Sequence, residues 1–372
     1  MTQTSGNIHH GTSVLITPPG ASTNNAFPGI CTLSQPEHLL VAYRSAAGHS
    51  STLKGVIRGK KSFDAGRTWG DEFVIYDDAT QDARDPTLLR LSTGRILCAF
   101  FPHNPTYAAI IYSDDDGNTW SPLIGVNENA PNTNEAVCGP PIEMPNGDVL
   151  LVTYGNYDGV ATTDWYWSRL YRSTDQGETW TFVTVIADGN DSEYLFSFQE
   201  PNLLLLANGD VLCAHRTSIG RIRLFRSTNS GTTWAPVTHN ELVASGRPHM
   251  FQLDNGSITM LPRKGGLAKT TSWDNGETWT MPWGNVASAP DVGGTSVYAD
   301  SAHVADNMVA VVYALEWNDR AYADVYVTYM FPEELAGTDP LAVASGRFVR
   351  RGGELVPADV SVVRDGSLFP AT

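Results

Sequence analysis

The sequence predicts an all-β fold: a six-bladed β-propeller followed by a small C-terminal β appendage. Three observations predict it. The box Ser-x-Asp-x-Gly-x-Thr-Trp recurs five times in 372 residues, at 62–69, 113–120, 173–180, 227–234 and 272–279. Only the fourth copy departs, with Asn229 where the others carry Asp64, Asp115, Asp175 and Asp274. Such self-similarity marks a repeat architecture. Between boxes, apolar runs flank Asn-Gly or similar pairs, the strongest short hairpin signal. Finally, 34 glycines and 10% aromatic residues, with no long stretch of 3.6-residue periodicity, indicate strands and turns rather than helices.

Each element follows in order. Six units open on Phe27-Pro28, Asp85-Pro86, Pro140-Pro141, Glu200-Pro201, Arg247-Pro248 and Asp300-Ser301, and five of them run on into a box. Within a box the Asp accepts backbone N–H groups, the Gly takes positive φ, and the Trp wedges between sheets. Residues 12–17 are expected to close the sixth unit as an N-terminal strand, removing an open edge. Past about residue 335 the pattern changes, and residues 349–358 are echoed by 362–371. The expected division is therefore a propeller over 1–335 and a β extension over 336–372.

Composition bounds the chemistry. A net charge of −16 argues against a nucleic-acid or anionic-membrane partner. The N-terminus has no signal-peptide pattern and no apolar run is long enough to span a bilayer, so a cytoplasmic or virion-associated protein is expected. Cys98 and Cys213 occupy the same slot of two repeats and read, with Cys31 and Cys138, as small buried residues. No metal-ligand or phosphate-loop motif is present, so no cofactor is expected.

The boxes resemble the Asp-box repeats of sialidase-type propellers, over about residues 25–331. The resemblance implies a Tyr nucleophile, a Glu that deprotonates it, an Asp acid, three arginines on the substrate carboxylate, and an acidic glycan as partner. That sialidases use Tyr in place of a second carboxylate is a known exception to the glycosidase rule. At family spacing, Glu200 matches the base, Arg216 the second arginine and Tyr298 the nucleophile, and Asp85 matches a common Asp-Pro pair. There are departures. Phe27-Pro28-Gly29 stands where Arg-Ile-Pro should, Ser51 stands in the acid's place, and Thr270, beside Lys269, stands in the third arginine's. His49 is the nearest titratable substitute for the acid. Arg44, Arg216 and Arg263 end equivalent strands of units one, four and five and suggest a rewired anion clamp; Arg247 joins them as a substrate-binding candidate. The alternative is that these arginines pair with Glu200, Asp85 and Asp300. His103 and His249 are weaker candidates, and the aromatics of 155–167 could stack on a sugar or pack in the core.

Three functions compete. A sialidase-like hydrolase would use Tyr298, Glu200 and His49. A polysaccharide lyase would neutralise a uronate with Arg and abstract a proton with Tyr or His. A glycan-binding propeller without turnover would suit the missing acid. It would also suit the terminal twin, which resembles short repeats of tailed-phage minor tail proteins.

Overall fold

The computed structural model describes residues 13–17, 23–49, 54–103, 106–127, 133–157, 165–237, 242–264, 266–280, 295–304, 308–317, 322–330, 348–351, 354–357, 361–364 and 367–370. The chain divides into two compact units, Met1–Pro332 and Glu333–Thr372. Among the described residues every regular element is a strand.

In the first unit, β1 (Val14–Leu15) precedes β2 (Asn24–Thr32), β3 (Leu39–Ala46), β4 (Val56–Ser62) and β5 (Phe73–Tyr76). The second repeat supplies β6 (Asp82–Arg90), β7 (Ile96–His103), β8 (Ala109–Ser113) and β9 (Ile124–Gly125). The third supplies β10 (Thr133–Ala136), β11 (Ile142–Glu143), β12 (Val149–Tyr157), β13 (Trp167–Ser173) and β14 (Thr181–Asp188). Next come β15 (Phe198–Leu205), β16 (Val211–Thr217), β17 (Ile222–Ser227) and β18 (Ala235–Pro236), then β19 (Ser245–Gln252), β20 (Ile258–Arg263) and β21 (Thr270–Ser272). The last repeat is β22 (Thr295–Val304), β23 (Met308–Trp317) and β24 (Tyr322–Met330).

These strands form a β-propeller arrangement, with one correction to the expected six separate blades. Four sheets stand alone: β6–β9, β10–β14, β15–β18 and β19–β21. The first and last repeats share one eight-stranded sheet, ordered β22-β23-β24-β2-β3-β4-β5 with β1 on β24. The joint is a single parallel pairing, Asn24 with Ala323, and β1 runs antiparallel on β24 through Val14–Val327 and Leu15–Tyr326. The start of the chain thus pairs the edge that the last repeat would leave open.

Circular order is visible in the packing. Apolar clusters lie between successive sheets, for example Leu40 and Ile57 with Ile96 and Cys98, or Leu150 and Leu170 with Val211 and Phe225. The cluster of Leu39, Val41 and Tyr43 with Val312, Val325 and Val327 joins the two ends. Each box leans on the repeat before it: a β-carbon at Gly117 would sit 3.0 Å from Leu40, and one at Gly66 would sit 2.7 Å from the Tyr329 hydroxyl.

The boxes hold themselves. Asp115 accepts from Thr119 N (2.8 Å), Thr119 Oγ1 (2.7 Å) and Ser113 Oγ (2.8 Å), while Gly117 N donates to Ser113 Oγ (2.8 Å). Those bonds hold the Asp115 carboxyl down at about 2. In the variant box Asn229 accepts from Thr233 N at 2.9 Å but donates to Thr233 Oγ1 at 2.8 Å, so one bond reverses and the turn survives. All four cysteines are buried free thiols.

Neighbouring inner strands are stapled by side chains. Asn202 accepts from Met250 N (3.0 Å), Asp300 from Ile30 N (3.3 Å), and His249 Nε2 meets Ser301 Oγ at 2.7 Å. The second unit contains two antiparallel hairpins. One pairs β25 (Phe348–Arg351) with β26 (Glu354–Pro357), the other β27 (Ser361–Arg364) with β28 (Ser367–Pro370).

Candidate active site

The inner strands break register at the same slot in four repeats: between Ala26 and Gly29, Arg84 and Thr87, Gln199 and Asn202, and Val297 and Asp300. The first bulged residue has positive φ each time: Phe27 (55°), Asp85 (51°), Glu200 (45°) and Tyr298 (56°). A non-glycine residue held there costs on the order of 1 kcal/mol or more. Bulges re-aim side chains that a regular strand would alternate. Four such residues on one ring carry two carboxyls, a phenol and a phenyl to a common place. In β19 the break falls between Ser245 and His249, and Gly246 takes the positive φ (73°). A β-carbon there would lie 2.8 Å from Cβ of Arg263, so glycine lets that side chain lie flat on the strand.

Glu200 Oε1 takes a hydrogen bond from Arg216 Nη1 at 2.8 Å. Its Oε2 is buried with no protein partner among the described residues. Tyr298 is 7% exposed, and burial first, then the charges of Glu200, Asp85 and Glu316, push its phenol well above the ordinary value; Arg263 opposes them. A phenol so placed ionises only as a base takes its proton. Arg247 has a fully buried guanidinium 3.8 Å from Asp300, and none of its three nitrogens has a hydrogen-bond partner among the described residues. Asp85 is pushed up to about 6, chiefly by burial and further by Glu200, against the pull of Arg84, Arg247 and His49. Glu200, Arg216, Tyr298, Asp85, Arg247 and Arg263 therefore share one electrostatic neighbourhood.

That environment makes Asp85 a pH-dependent cost. Its folded pKa of about 6 exceeds the ordinary aspartate value of 3.8, so its contribution is intact below that lower value and is lost as pH rises through 6. The difference is worth about 3 kcal/mol. Asp85→Asn should raise the melting temperature at pH 8 and lose the advantage by pH 4. An equal shift at both pH values would show that ionisation is not the cause.

His49 stands in the company of the first and last repeats. Its Nδ1 is 2.9 Å from Glu316 Oε1, and its ring lies 5.2 Å from Phe27 and 6.5 Å from Tyr298. Phe27 is only 2% exposed, wedged against Tyr298 (4.6 Å) beneath the Arg84 guanidinium (5.2 Å). Arg84 also donates to His49 O (3.3 Å) and to Asp82 Oδ2 (3.2 Å).

Arg44 departs from the sequence expectation. Its guanidinium is sealed at 0% exposure, bidentate on Asp82 (2.7 and 3.0 Å), with Nη1 on Gly48 O at 2.9 Å. A planar fork facing a buried carboxylate satisfies itself there, so Arg44 presents no donors to a ligand. The arginine clamp drawn from units one, four and five is corrected to that extent. Thr270 donates to Thr280 O (2.5 Å), and Trp167 is core at 2% exposure. His249, pushed down to about 3 by burial, is an interblade staple. Ser51 lies outside the described residues, as does 158–164 of the aromatic stretch.

Sequence reasoning missed Arg84, Asp82 and Glu316. Asp82 and Arg84 stand just before Asp85-Pro86, which opens the second unit, but Glu316 carries no local signal. Among the described residues no group of three or more His, Cys, Asp or Glu could hold a metal.

The BNR repeat-like domain family matches residues 37–245 and 157–305. The chain belongs to that family. This BNR-repeat protein is 25% identical over 222 residues to a sialidase of Paraclostridium sordellii, a match covering 52% of each chain. It is 24% identical over 206 residues to a sialidase of Clostridium perfringens, covering 48% of this chain and 52% of the other. The chain thus spans about half the length of the curated relatives it matches. Among solved structures it is similar to a protein of unknown function from Dyadobacter fermentans, with a TM-score of 0.70, 20% identity, and coverage of 86% of this chain and 98% of that one. It is also similar to a leech intramolecular trans-sialidase complexed with 2,7-anhydro-Neu5Ac, with a TM-score of 0.67, 16% identity, and coverage of 90% and 71%. At those identities the structures show the fold: a sialidase-like BNR-repeat β-propeller.

Proposed function

We propose that this BNR-repeat protein is a sialidase-like glycoside hydrolase acting on an acidic sugar. Tyr298 attacks the anomeric carbon as Glu200 Oε2 takes its proton. Arg216, Arg247 and Arg263 receive the substrate carboxylate, with Asp85 beside them, and His49 protonates the departing oxygen. The observation that carries this is Glu200: one oxygen is held by Arg216, and the other is buried without a protein partner among the described residues while its charge acts on Tyr298. A phenol nucleophile also avoids the repulsion that a carboxylate would meet at a carbon bearing an anionic group. Half-length similarity to two clostridial sialidases supports the same reading.

In this reading the propeller has six blades, the composite sheet dividing at Asn24–Ala323. An axial cavity of about 700 Å³ supports that count, because all six repeats line it through Ile30, Leu88, Pro141, Leu203, Met250 and Ser301. In the same reading the two hairpins of the second unit, β25–β26 and β27–β28, make up the β appendage.

A glycan-binding propeller without turnover is the second reading, favoured by Phe27 occupying the place of the family's first arginine. Incubation with sialylated and uronic-acid glycans decides between them. New reducing ends support hydrolysis, products absorbing in the ultraviolet mean elimination, and binding without product leaves only recognition.

A further inference from the structure

We propose that Glu316 is the positioning residue for His49, so that a carboxylate–imidazole pair drawn from the two ends of the chain replaces the missing acid. This rests on the hydrolase reading above. Glu316 stands on β23, paired with Thr295 and Ala323, and its side chain is 4% exposed. An ionised carboxylate only accepts, so the 2.9 Å contact puts a hydrogen on His49 Nδ1 and leaves Nε2 as the nitrogen that exchanges protons. Among the described residues Nε2 has no protein hydrogen bond, and the side chain is 22% exposed.

The loop carrying His49 is fixed by two arginines that bind no ligand in this scheme. Arg44 holds Gly48 O and Arg84 holds His49 O. Phe27 packs on one side of the ring at 5.2 Å, with Tyr298 behind it at 6.5 Å. One hydrogen bond, one packed ring and two held carbonyls restrain this histidine more than a solvated loop would.

The proton accounting closes. As the glycosidic C–O bond breaks, its electron pair leaves with the oxygen, which takes the proton from Nε2. The Tyr298 oxygen bonds to the anomeric carbon and its own proton goes to Glu200. Water then attacks that carbon, giving a proton to Nε2, while Tyr298 departs and recovers its proton from Glu200.

Leaving-group dependence tests the pair, since nitrophenolate departs without protonation and a sugar alkoxide does not. The probes are lactose-linked and p-nitrophenyl-linked N-acetylneuraminic acid. Glu316→Gln, which keeps shape and loses charge, should lower kcat on the lactose-linked probe by roughly 100-fold. The loss on the nitrophenyl probe should be at least about tenfold smaller. His49→Asn should show the same pattern, and the double variant should be no worse than His49→Asn alone. Equal losses on both probes, or losses that multiply in the double variant, would overturn the pairing and leave the hydrolase reading standing. A wild-type protein that cleaves neither probe overturns both.

Discussion

Tyr298→Phe is expected to lower turnover of an acidic glycoside on the order of 10³-fold or more, without lowering the melting temperature. The substitution removes one oxygen and leaves the ring that packs at 4.6 Å on Phe27. It also leaves the positive φ of 56° unchanged, because Phe tolerates that backbone no worse than Tyr. Binding should survive, since the guanidinium groups of Arg216 and Arg263 are untouched. Glu200→Gln should cost roughly 10²- to 10⁴-fold in kcat as a lost general base. It should also loosen Arg216, whose Nη1 now rests 2.8 Å from Glu200. Steady-state kinetics beside thermal unfolding separates the two. If Tyr298→Phe turned substrate over at the wild-type rate, the nucleophile would have to be sought elsewhere.

The second large effect is a contrast between two buried arginines. Arg44→Met should destabilise the fold by about 3 kcal/mol, because it strips the bidentate partner from Asp82, whose side chain is 3% exposed. Arg84, at 3.2 Å, recovers only part of that charge pairing. Arg247→Met should cost less. Its guanidinium makes no hydrogen bond among the described residues and pairs with Asp300 only at 3.8 Å, while Asp300 keeps the N–H groups of Ile30 and Ser301, so relief of desolvation offsets part of the lost pairing. Its price is function: KM should rise roughly 10- to 100-fold as one charge-assisted contact to the substrate carboxylate is lost. Normal KM in Arg247→Met, or a raised KM with unchanged melting in Arg44→Met, would exchange the two roles.

How much was legible in the sequence differs between scaffold and site. The boxes were readable in full because their bonds are local: Asp115 reaches Thr119 and Ser113, four and two positions away. Hairpins at Asn146-Gly147 and Asn208-Gly209 were readable for the same reason, since Gly147 and Gly209 have φ of 86° and 89°. Glu200 and Arg216 were found by spacing, and they do touch. Arg44 was misjudged by the same reasoning. Equivalent strand ends give equivalent positions, but whether a guanidinium faces solvent depends on what the next sheet sets against it. Asp82 lies 38 residues away, and a β-carbon at Gly55 would strike its oxygen at 2.3 Å, a fit that no local pattern reports.

By itself, then, the chain's order of residues determined a repeating all-β architecture, its turns, and the spacing that makes Glu200, Arg216 and Tyr298 candidates. Those features depend on interactions within a few residues or on a period that counting reveals. Only the tertiary structure decided that the first and last repeats share a sheet through Asn24 and Ala323, that Arg44 is sealed, and that Glu316 meets His49 across 267 positions. The physical reason is ring closure. Bringing the two ends of a propeller together creates contacts between residues with no common periodicity, and burial there settles which charges find partners within the protein.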